Sequence, residues 1–264
     1  IANAIDQAYQ PRFGGDAIAV SKLGQIIAIA ERLDTLAGGF VAGLKPTGNK
    51  DPFALRRNAL GLARILLEGN FDLSLKDLLN KAISLQPIQS VDASIENLTD
   101  FTYDRLRSYF NEQGFNEQQF DAVNSVAHDS LPDFAKRLAA VAEFTKMPEA
   151  ASLAAANKRI ANILKKSASE AAEYVSEDLL HEQAEKDLWQ AIKQLEQSNT
   201  SKLQARDYVA VLQALASLRA PVDSFFDSVM VNADDLHVRA NRLALLRKIA
   251  GQLNAVGDIS LLAN

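Results

Sequence analysis

The 264-residue sequence contains no cysteine, so it has no disulfide framework, no thiolate zinc site and no cysteine nucleophile. It contains no apolar run of the roughly 20 residues that a membrane span needs, and no signal-peptide pattern at its start. Its three histidines, His128, His181 and His237, stand in separate segments without metal-ligand spacing. Phosphate-binding glycine loops are also missing. We therefore expect a soluble, cytoplasmic chain that holds no metal or cofactor itself and has neither a membrane nor DNA as its partner.

Neither sign of charge is strongly in excess, because the sequence contains 33 acidic and 28 basic side chains. The net charge of -5 repels polyanions, so any RNA site must be a local cationic patch. A hydrophobic content of 48% is enough to build real cores.

Helical periodicity runs through almost the whole sequence, and strand alternation is nearly missing. This predicts an all-α fold, a helical bundle in two helical domains. Asp51 and Ser74 have the residue types of N-caps, Pro52 suits a first helical position, and Gly38 with Gly39 is expected to weaken its helix. The predicted helices are 17–36, 52–68, 74–85, 100–113, 117–126, 131–145, 149–168, 176–197, 203–218, 221–229 and 233–255.

The interval 86–99 is polar, contains proline and is only weakly periodic. It predicts a domain boundary, with one domain at 1–90, a linker at 91–99 and a second domain at 100–264. A start at Ile1 rather than methionine suggests a fragment.

One window of the acidic second half carries only cations. Between residues 150 and 169 the charged side chains are Lys158, Arg159, Lys165 and Lys166. At 100° per residue, Lys158, Asn162 and Lys165 share the face opposite the apolar residues, and Arg159 and Lys166 flank it. The pattern fits a solvated helix face, or a stripe that binds phosphates.

Amide and arginine side chains extend the set of candidate RNA contacts. Asn157 and Asn162 could hydrogen-bond base edges or ribose, because base-edge contacts carry sequence information. Further cationic candidates are Arg105, Arg107, Arg239 and Arg242. Five aromatic residues either belong to the core or stack on unpaired bases. They are Phe101, Tyr103, Tyr109, Phe110 and Trp189. The run 221–231 has helical spacing of Val222, Phe225, Phe226 and Val229, which favours a core helix.

Several runs of sequence resemble one family. They are AERLDTL at 30–36, PTGNKDPFALRR at 46–57, DRLR at 104–107, LAAANKRIANIL at 153–164, PVDSFFDSVMV at 221–231, NRLALL at 241–246 and DIS at 258–260. Together and in this order they resemble the β subunit of bacterial glycyl-tRNA synthetase, across essentially the whole chain.

The resemblance implies a specific division of labour. An α subunit would carry the class II active site for glycine, ATP and Mg²⁺, and the β subunit would recognise glycine tRNA, in a heterotetramer of two α and two β chains. Residues 1–90 would end an HD-like helical domain. Residues 100–264 would form a DALR-type anticodon-binding domain similar to that of arginyl-tRNA synthetase. The fragment alone is expected to be inactive.

Two other functions stay open. Asp34 lies where the last aspartate of an HD-type metal-dependent phosphohydrolase would lie, although its histidine partners are not present. An inactive regulatory remnant of such an enzyme, or a purely architectural scaffold, is also compatible with the sequence. The segment 45–57, with Lys45, Lys50, Arg56 and Arg57, is an RNA contact, a capped and ion-paired loop, or a loop that docks another domain.

Overall fold

The computed structural model describes residues 2–88, 95–126, 130–167 and 171–263. Across these ranges every regular element is helical, and the only β-type pairing is an isolated bridge between Thr47 and Lys50. The all-α prediction is confirmed. The chain divides into two compact units, residues 1–115 with 128–135 (unit 1) and residues 116–127 with 136–264 (unit 2).

Unit 1 is a bundle built around α2, which packs against the first, third and fourth helices, while the fifth packs against the third and fourth. Its fully buried side chains include one leucine from each of four helices, namely Leu36, Leu62, Leu79 and Leu106. The helices are α1 (Ala2–Gln7), α2 (Lys22–Val41), α3 (Leu55–Glu68), α4 (Leu75–Ser84) and α5 (Ile95–Glu112).

Unit 2 packs its long α9 helix against the tenth, eleventh and twelfth helices, and its α8 helix against the twelfth and a C-terminal 3-10 turn. The helices are α6 (Glu117–Asn124), α7 (Leu131–Phe144, whose first turn belongs to unit 1), α8 (Ala150–Lys166), α9 (Gln183–Gln204), α10 (Tyr208–Ala214), α11 (Arg219–Ser228) and α12 (Leu236–Leu253). Short 3-10 helices lie at Glu177–Leu179, Leu215–Leu218 and Ile259–Leu262.

The α2 helix does not weaken at its two glycines, which corrects the prediction there. The amide of Ala42 still donates to the carbonyl of Gly38 at 2.9 Å. Gly39 provides space instead, because a Cβ atom at this position would lie 2.9 Å from the side chain of Leu55. Glycine is therefore used here for close packing of α2 on α3.

The start of α3 also differs from the prediction. Asp51 does act as a cap, since its carboxylate accepts hydrogen bonds from the amides of Leu55 and Arg56 at 2.8 and 2.9 Å. The helix nevertheless begins only at Leu55, because Ala54 adopts a left-handed conformation with φ 54°. Pro52 thus lies in a turn. The predicted cap of α4 is confirmed, as the Ser74 hydroxyl accepts from the amide of Asp77.

Two predicted helices of unit 2 were wrong in their bounds. The segment 176–182 is a 3-10 turn followed by extended backbone, so α9 begins at Gln183. Arg206, with φ 54°, interrupts the chain between α9 and α10. The stretch Tyr208–Ser228 is long enough, and apolar enough on average, to cross a membrane. This contrasts with the prediction that the chain has no such segment. However, Leu212, Leu215 and Phe225 are buried in unit 2, as in a core helix.

The two compact units do not follow the predicted division of the chain, because α5 packs on α3 and α4 of unit 1. The predicted linker at 91–99 overlaps α5 from Ile95 onward, and residues 91–94 lie outside the described residues. The assignment of 1–90 and 100–264 to two family domains stays a prediction.

Candidate nucleic-acid interface

The cations predicted on one face of α8 lie on its surface. Leu153, Ala154 and Ile160 are buried, as the 3.6-residue period requires. The exposed side chains are Lys158, Arg159, Asn162, Lys165 and Lys166. We call the four cations among them the cationic stripe.

Two members of the stripe are held by contacts from distant parts of unit 2. The Lys158 ammonium donates to the carbonyl of Ala263 at 3.2 Å. The Arg159 guanidinium lies 4.0 Å from the ring centre of Phe226 on α11, in cation–π geometry. Together with Asn162 and Lys166 they line an open pocket of about 380 Å³. The cations are therefore partly preorganised rather than freely rotating.

The other end of the stripe is the last turn of α8, where Lys165 and Lys166 are exposed. Cations at a helix C-terminus interact favourably with the helix dipole, typically by about 0.3–1 kcal/mol. This accounts for two lysines locally, but it does not require Lys158 and Arg159 two turns earlier.

Asn157 was predicted as a base contact, and the structure corrects this. Its side chain is 1% exposed. Its amide donates to Asn254 at 2.7 Å and to Asp258 at 3.3 Å, which fixes α8 to the C-terminal segment. Asn157 therefore stabilises the unit and does not reach a ligand.

Arg242 was also predicted as an RNA contact, and it too is buried. Its Nε donates to the Glu185 carboxylate at 2.7 Å, and its Nη1 donates to the carbonyl of Met230 at 2.8 Å. Glu185 is fully buried. Burial raises the pKa of Glu185, but hydrogen bonds from Arg242 and from the amides of Glu182 and His181 outweigh it, so the pKa lies below its usual value.

The remaining arginine candidates are only half-buried. Arg105 and Arg107 lie on α5 of unit 1, and Arg105 lies 5.6 Å from the ring centre of Phe101. Arg239 lies on α12 of unit 2. Their roles in RNA binding stay predictions.

The aromatic candidates are mostly structural. Tyr103 and Phe110 are buried, Phe101 makes an edge contact with Phe40, and Trp189 donates its indole N–H to Glu177 at 2.8 Å. In the run 221–231, Val222, Phe225 and Val229 are buried, as predicted. Phe226 is only half-buried and lies beneath Arg159. Phe226 was predicted to lie in the core, because nothing in the sequence indicates its contact with Arg159, 67 positions away.

The segment 45–57 is a capped loop with one outward cation on α3. Arg56 donates to the carbonyl of Gly48 at 2.6 Å and so closes the loop. Lys45 lies 5.4 Å from the ring centre of Phe40. Arg57 is exposed.

Asp34 is exposed and accepts a hydrogen bond from the Gln86 amide at 3.0 Å. In the described ranges no three His, Asp or Glu side chains come together as metal ligands. His181 and His237 are exposed, and His128 lies outside the described residues. The Asp34 carboxylate is thus a hydrogen-bond acceptor for the side chain of Gln86.

The sequence is similar to known proteins of one family along its whole length. Residues 1–125 match the family model described as glycyl-tRNA synthetase beta subunit, and residues 153–259 match the DALR anticodon binding domain. The whole chain is 51% identical to the glycine–tRNA ligase beta subunit of Xanthomonas campestris pv. campestris strain B100, of which it covers 39%. It is 49% identical to the protein of that name from Methylobacillus flagellatus, of which it covers 37%. The chain thus spans about two fifths of the length of these relatives.

Proposed function

Because the chain belongs to the glycyl-tRNA synthetase β-subunit family, we propose that it is a tRNA-binding, anticodon-recognising portion of that subunit. It would position glycine tRNA for ATP-dependent glycylation by the α subunit. In the complete enzyme, ATP and Mg²⁺ would be bound by the α subunit, in a cytoplasmic assembly of two α and two β chains. This portion alone would neither charge tRNA nor hydrolyse nucleotides.

The cationic stripe is the observation that supports RNA binding most directly. It lies within the residues that match the anticodon-binding family model. Four cations and no acid occur there on the exposed face of one helix, in a chain of net charge -5. Binding of phosphates by such a surface releases counterions and adds affinity, while the rest of the molecule repels RNA.

The ends of the stripe differ in what they would contribute. Arg159 is oriented by Phe226 and lines the open pocket with Asn162. A guanidinium and an amide at a pocket edge suit an unpaired base, which stacks on planar groups and is read at its edges. Lys165 and Lys166 are suited to phosphates. Of the two amides predicted to affect anticodon preference, Asn162 is therefore the one that we retain.

The test is a tRNA titration at several salt concentrations with the double variant Lys165→Gln, Lys166→Gln. We expect weaker binding of glycine tRNA, and a smaller salt dependence of log K by about 0.7–0.9 for each phosphate contact removed. The matched control is Lys136→Gln, Lys186→Gln, which removes two exposed lysines elsewhere in unit 2. An unchanged salt slope in the stripe variant, or an equal change in the control, would show that the stripe is only a solvated face.

A second measurement addresses sequence recognition. Asn162→Ala should reduce the preference for glycine tRNA over a noncognate tRNA while leaving the salt slope unchanged, because base-edge contacts carry sequence information and phosphate contacts do not. An unchanged preference would contradict the role of Asn162.

A further inference from the structure

Three arginines converge on a surface pocket of unit 1 whose volume is about 300 Å³. Its walls are the segment after α1, the middle of α2 and the first turns of α3. The lining residues are Tyr9, Pro11, Arg12, Glu31, Arg32, Arg57 and Asn58. This volume lies at the small end of the range for ligand pockets, about 300–1,000 Å³.

Arg32 places a buried positive charge at the base of the pocket. It is 4% exposed, and its two Nη atoms donate to the carbonyls of Ala8, Ala28, Tyr9 and Pro11 at 3.0–3.3 Å. Carbonyl groups accept hydrogen bonds from both Nη atoms, whereas the buried Nε atom has no hydrogen-bond partner among the described residues. The carbonyl dipoles do not neutralise the charge of Arg32.

The carboxylate paired with Arg32 is a weak one. Glu31 lies on the exposed side of α2, with its Oε2 atom 3.7 Å from the Arg32 Nη1 atom. Burial lowers the pKa of Arg32, and the nearby Glu31 charge only partly opposes this. Acidic side chains therefore compensate little of this buried charge, and an anion that enters the pocket would add compensation.

Arg57 and Asn58 supply donors that no other group occupies. In the described part of the chain, neither side chain makes a hydrogen bond or an ion pair, in contrast to Arg56, which is bound to Gly48. Both lie in the first turns of α3 and line the same pocket as Arg32. A guanidinium and an amide side by side can bind two oxygens of one tetrahedral anion.

The residues that line the pocket carry more positive than negative charge, because three arginines line it with a single acid, Glu31, whereas the two aspartates that pair with Arg12 lie outside the lining. Arg12 is paired with Asp6 at 3.1 Å and with Asp16 at 4.0 Å, so its charge is largely compensated. Glu31 accepts a hydrogen bond from Thr35 at 3.2 Å and faces Arg32. Arg57 keeps its full charge.

We propose that this pocket binds a phosphate group, as a phosphomonoester or as a backbone phosphodiester of RNA, with Arg57 and Asn58 as donors and Arg32 as the buried countercharge. The site belongs to unit 1 and the stripe to unit 2, and the existence of the site does not depend on the proposed function of the stripe. If Arg32 served only to hold the carbonyls of residues 8–11 in place, the pocket would not need Arg57 and Asn58, whose side chains make no hydrogen bond in the described part of the chain.

The experiment is a titration of the purified chain with inorganic phosphate, adenosine monophosphate and an oligouridine without a terminal phosphate, followed by NMR of the arginine and asparagine side chains. We expect Arg57→Gln to weaken binding of at least one of these probes about tenfold, as for loss of a charge-assisted hydrogen bond. Asn58→Ala should weaken it about threefold. Because both side chains reach solvent, thermal unfolding of the two variants should stay close to that of the parent chain.

Lys50→Gln is the matched control, since it removes one exposed cation from the neighbouring loop and leaves the pocket intact. The proposal is supported if Arg57→Gln loses more binding affinity for a probe than this control does. Binding of only the two small probes identifies a phosphomonoester site, and binding of oligouridine identifies a backbone site. No binding of any probe, or equal losses in Arg57→Gln and Lys50→Gln, would overturn it. Lys165→Gln with Lys166→Gln should leave phosphate binding unchanged, which separates this outcome from failure of the stripe.

Discussion

Two buried arginines, Arg32 of unit 1 and Arg242 of unit 2, are compensated differently, while a further buried arginine of unit 1, Arg64, pairs with Glu68 at 2.6 Å. Arg242 of unit 2 is 7% exposed and pairs with the fully buried Glu185 at 2.7 Å. Arg32 of unit 1 is 4% exposed and is held by backbone carbonyls, with only the exposed Glu31 near it. Both arginines are anchored, but only Arg242 has its countercharge within the buried structure.

The difference shows how a buried cation should be interpreted. At Arg242 the ion pair is complete inside the protein, so the guanidinium has no donor left for a ligand. The prediction that Arg242 contacts RNA was therefore wrong. An incompletely compensated cation beside unoccupied donors, as at Arg32, indicates an external anion. The residue type and its burial are the same in both cases, and the location of the countercharge distinguishes them.

The largest effect is expected for Arg242→Met. Removal of one partner from a buried pair leaves Glu185 uncompensated, which typically lowers the free energy of unfolding by about 3–5 kcal/mol. Urea denaturation of unit 2, followed through Trp189 fluorescence, measures it. Adding Glu185→Gln should restore part of the loss, because no buried charge remains. A loss near zero in the single variant would show that Glu185 is solvated.

A smaller loss is expected for Arg32→Met. No buried acid is stranded, but carbonyls of the segment 8–11 lose their donor, at about 1–3 kcal/mol for a poorly solvated group. Urea denaturation of the whole chain measures this, as a loss in the transition that circular dichroism records but that the fluorescence of Trp189, which lies in unit 2, does not follow. A loss as large as that of Arg242→Met would mean that Arg32 has a buried acidic partner, which would remove the contrast between the units.

The helices of both units were predictable because their signals are local. The 3.6-residue period placed Leu153 and Ile160 inside and Lys158 and Lys165 outside. Ser74 and Asp51 were identified as caps from their residue type and position. Bounds failed where backbone conformation decided them, as at Ala54 and Arg206, since positive φ values of alanine and arginine have no sequence signature.

The candidate site was only partly predictable, because its geometry depends on contacts between distant residues. Arg242 and Glu185 are 57 positions apart, and Asn157 and Asn254 are 97 apart. Period alone places Asn157 near the edge of the apolar face of α8, and only the packed partner reveals that it is buried. The arginine pocket was likewise not recognised, although Arg57 was noted, because Arg32 reads as an ordinary helix residue.

The pH dependence of stability should also differ between the units. The pKa of Glu185 is lowered in the folded state, so its contribution is present above its unfolded pKa of about 4.3 and is lost as the pH falls through the folded pKa. Denaturation between pH 7 and pH 3 should therefore show a loss for unit 2 that Glu185→Gln reduces. Arg32→Met should leave this acid dependence unchanged. An identical acid dependence in Glu185→Gln and the parent chain would contradict the assignment.

The smallest effect concerns the packing behind Arg32. A Cβ atom at Gly61 of α3 would lie 2.7 Å from the Arg32 Nε atom, so Gly61→Ala forces a side chain held by four carbonyls to move. Overpacking of this kind is destabilising by about 1–3 kcal/mol, but alanine gains up to about 1 kcal/mol over glycine within a helix. We expect a net loss of about 1 kcal/mol in urea denaturation. In the Arg32→Met background the clash is relieved and only the helix preference remains, so the same substitution should be neutral or stabilising. An equal loss in both backgrounds would show that Gly61 is needed for another reason than the space around Arg32.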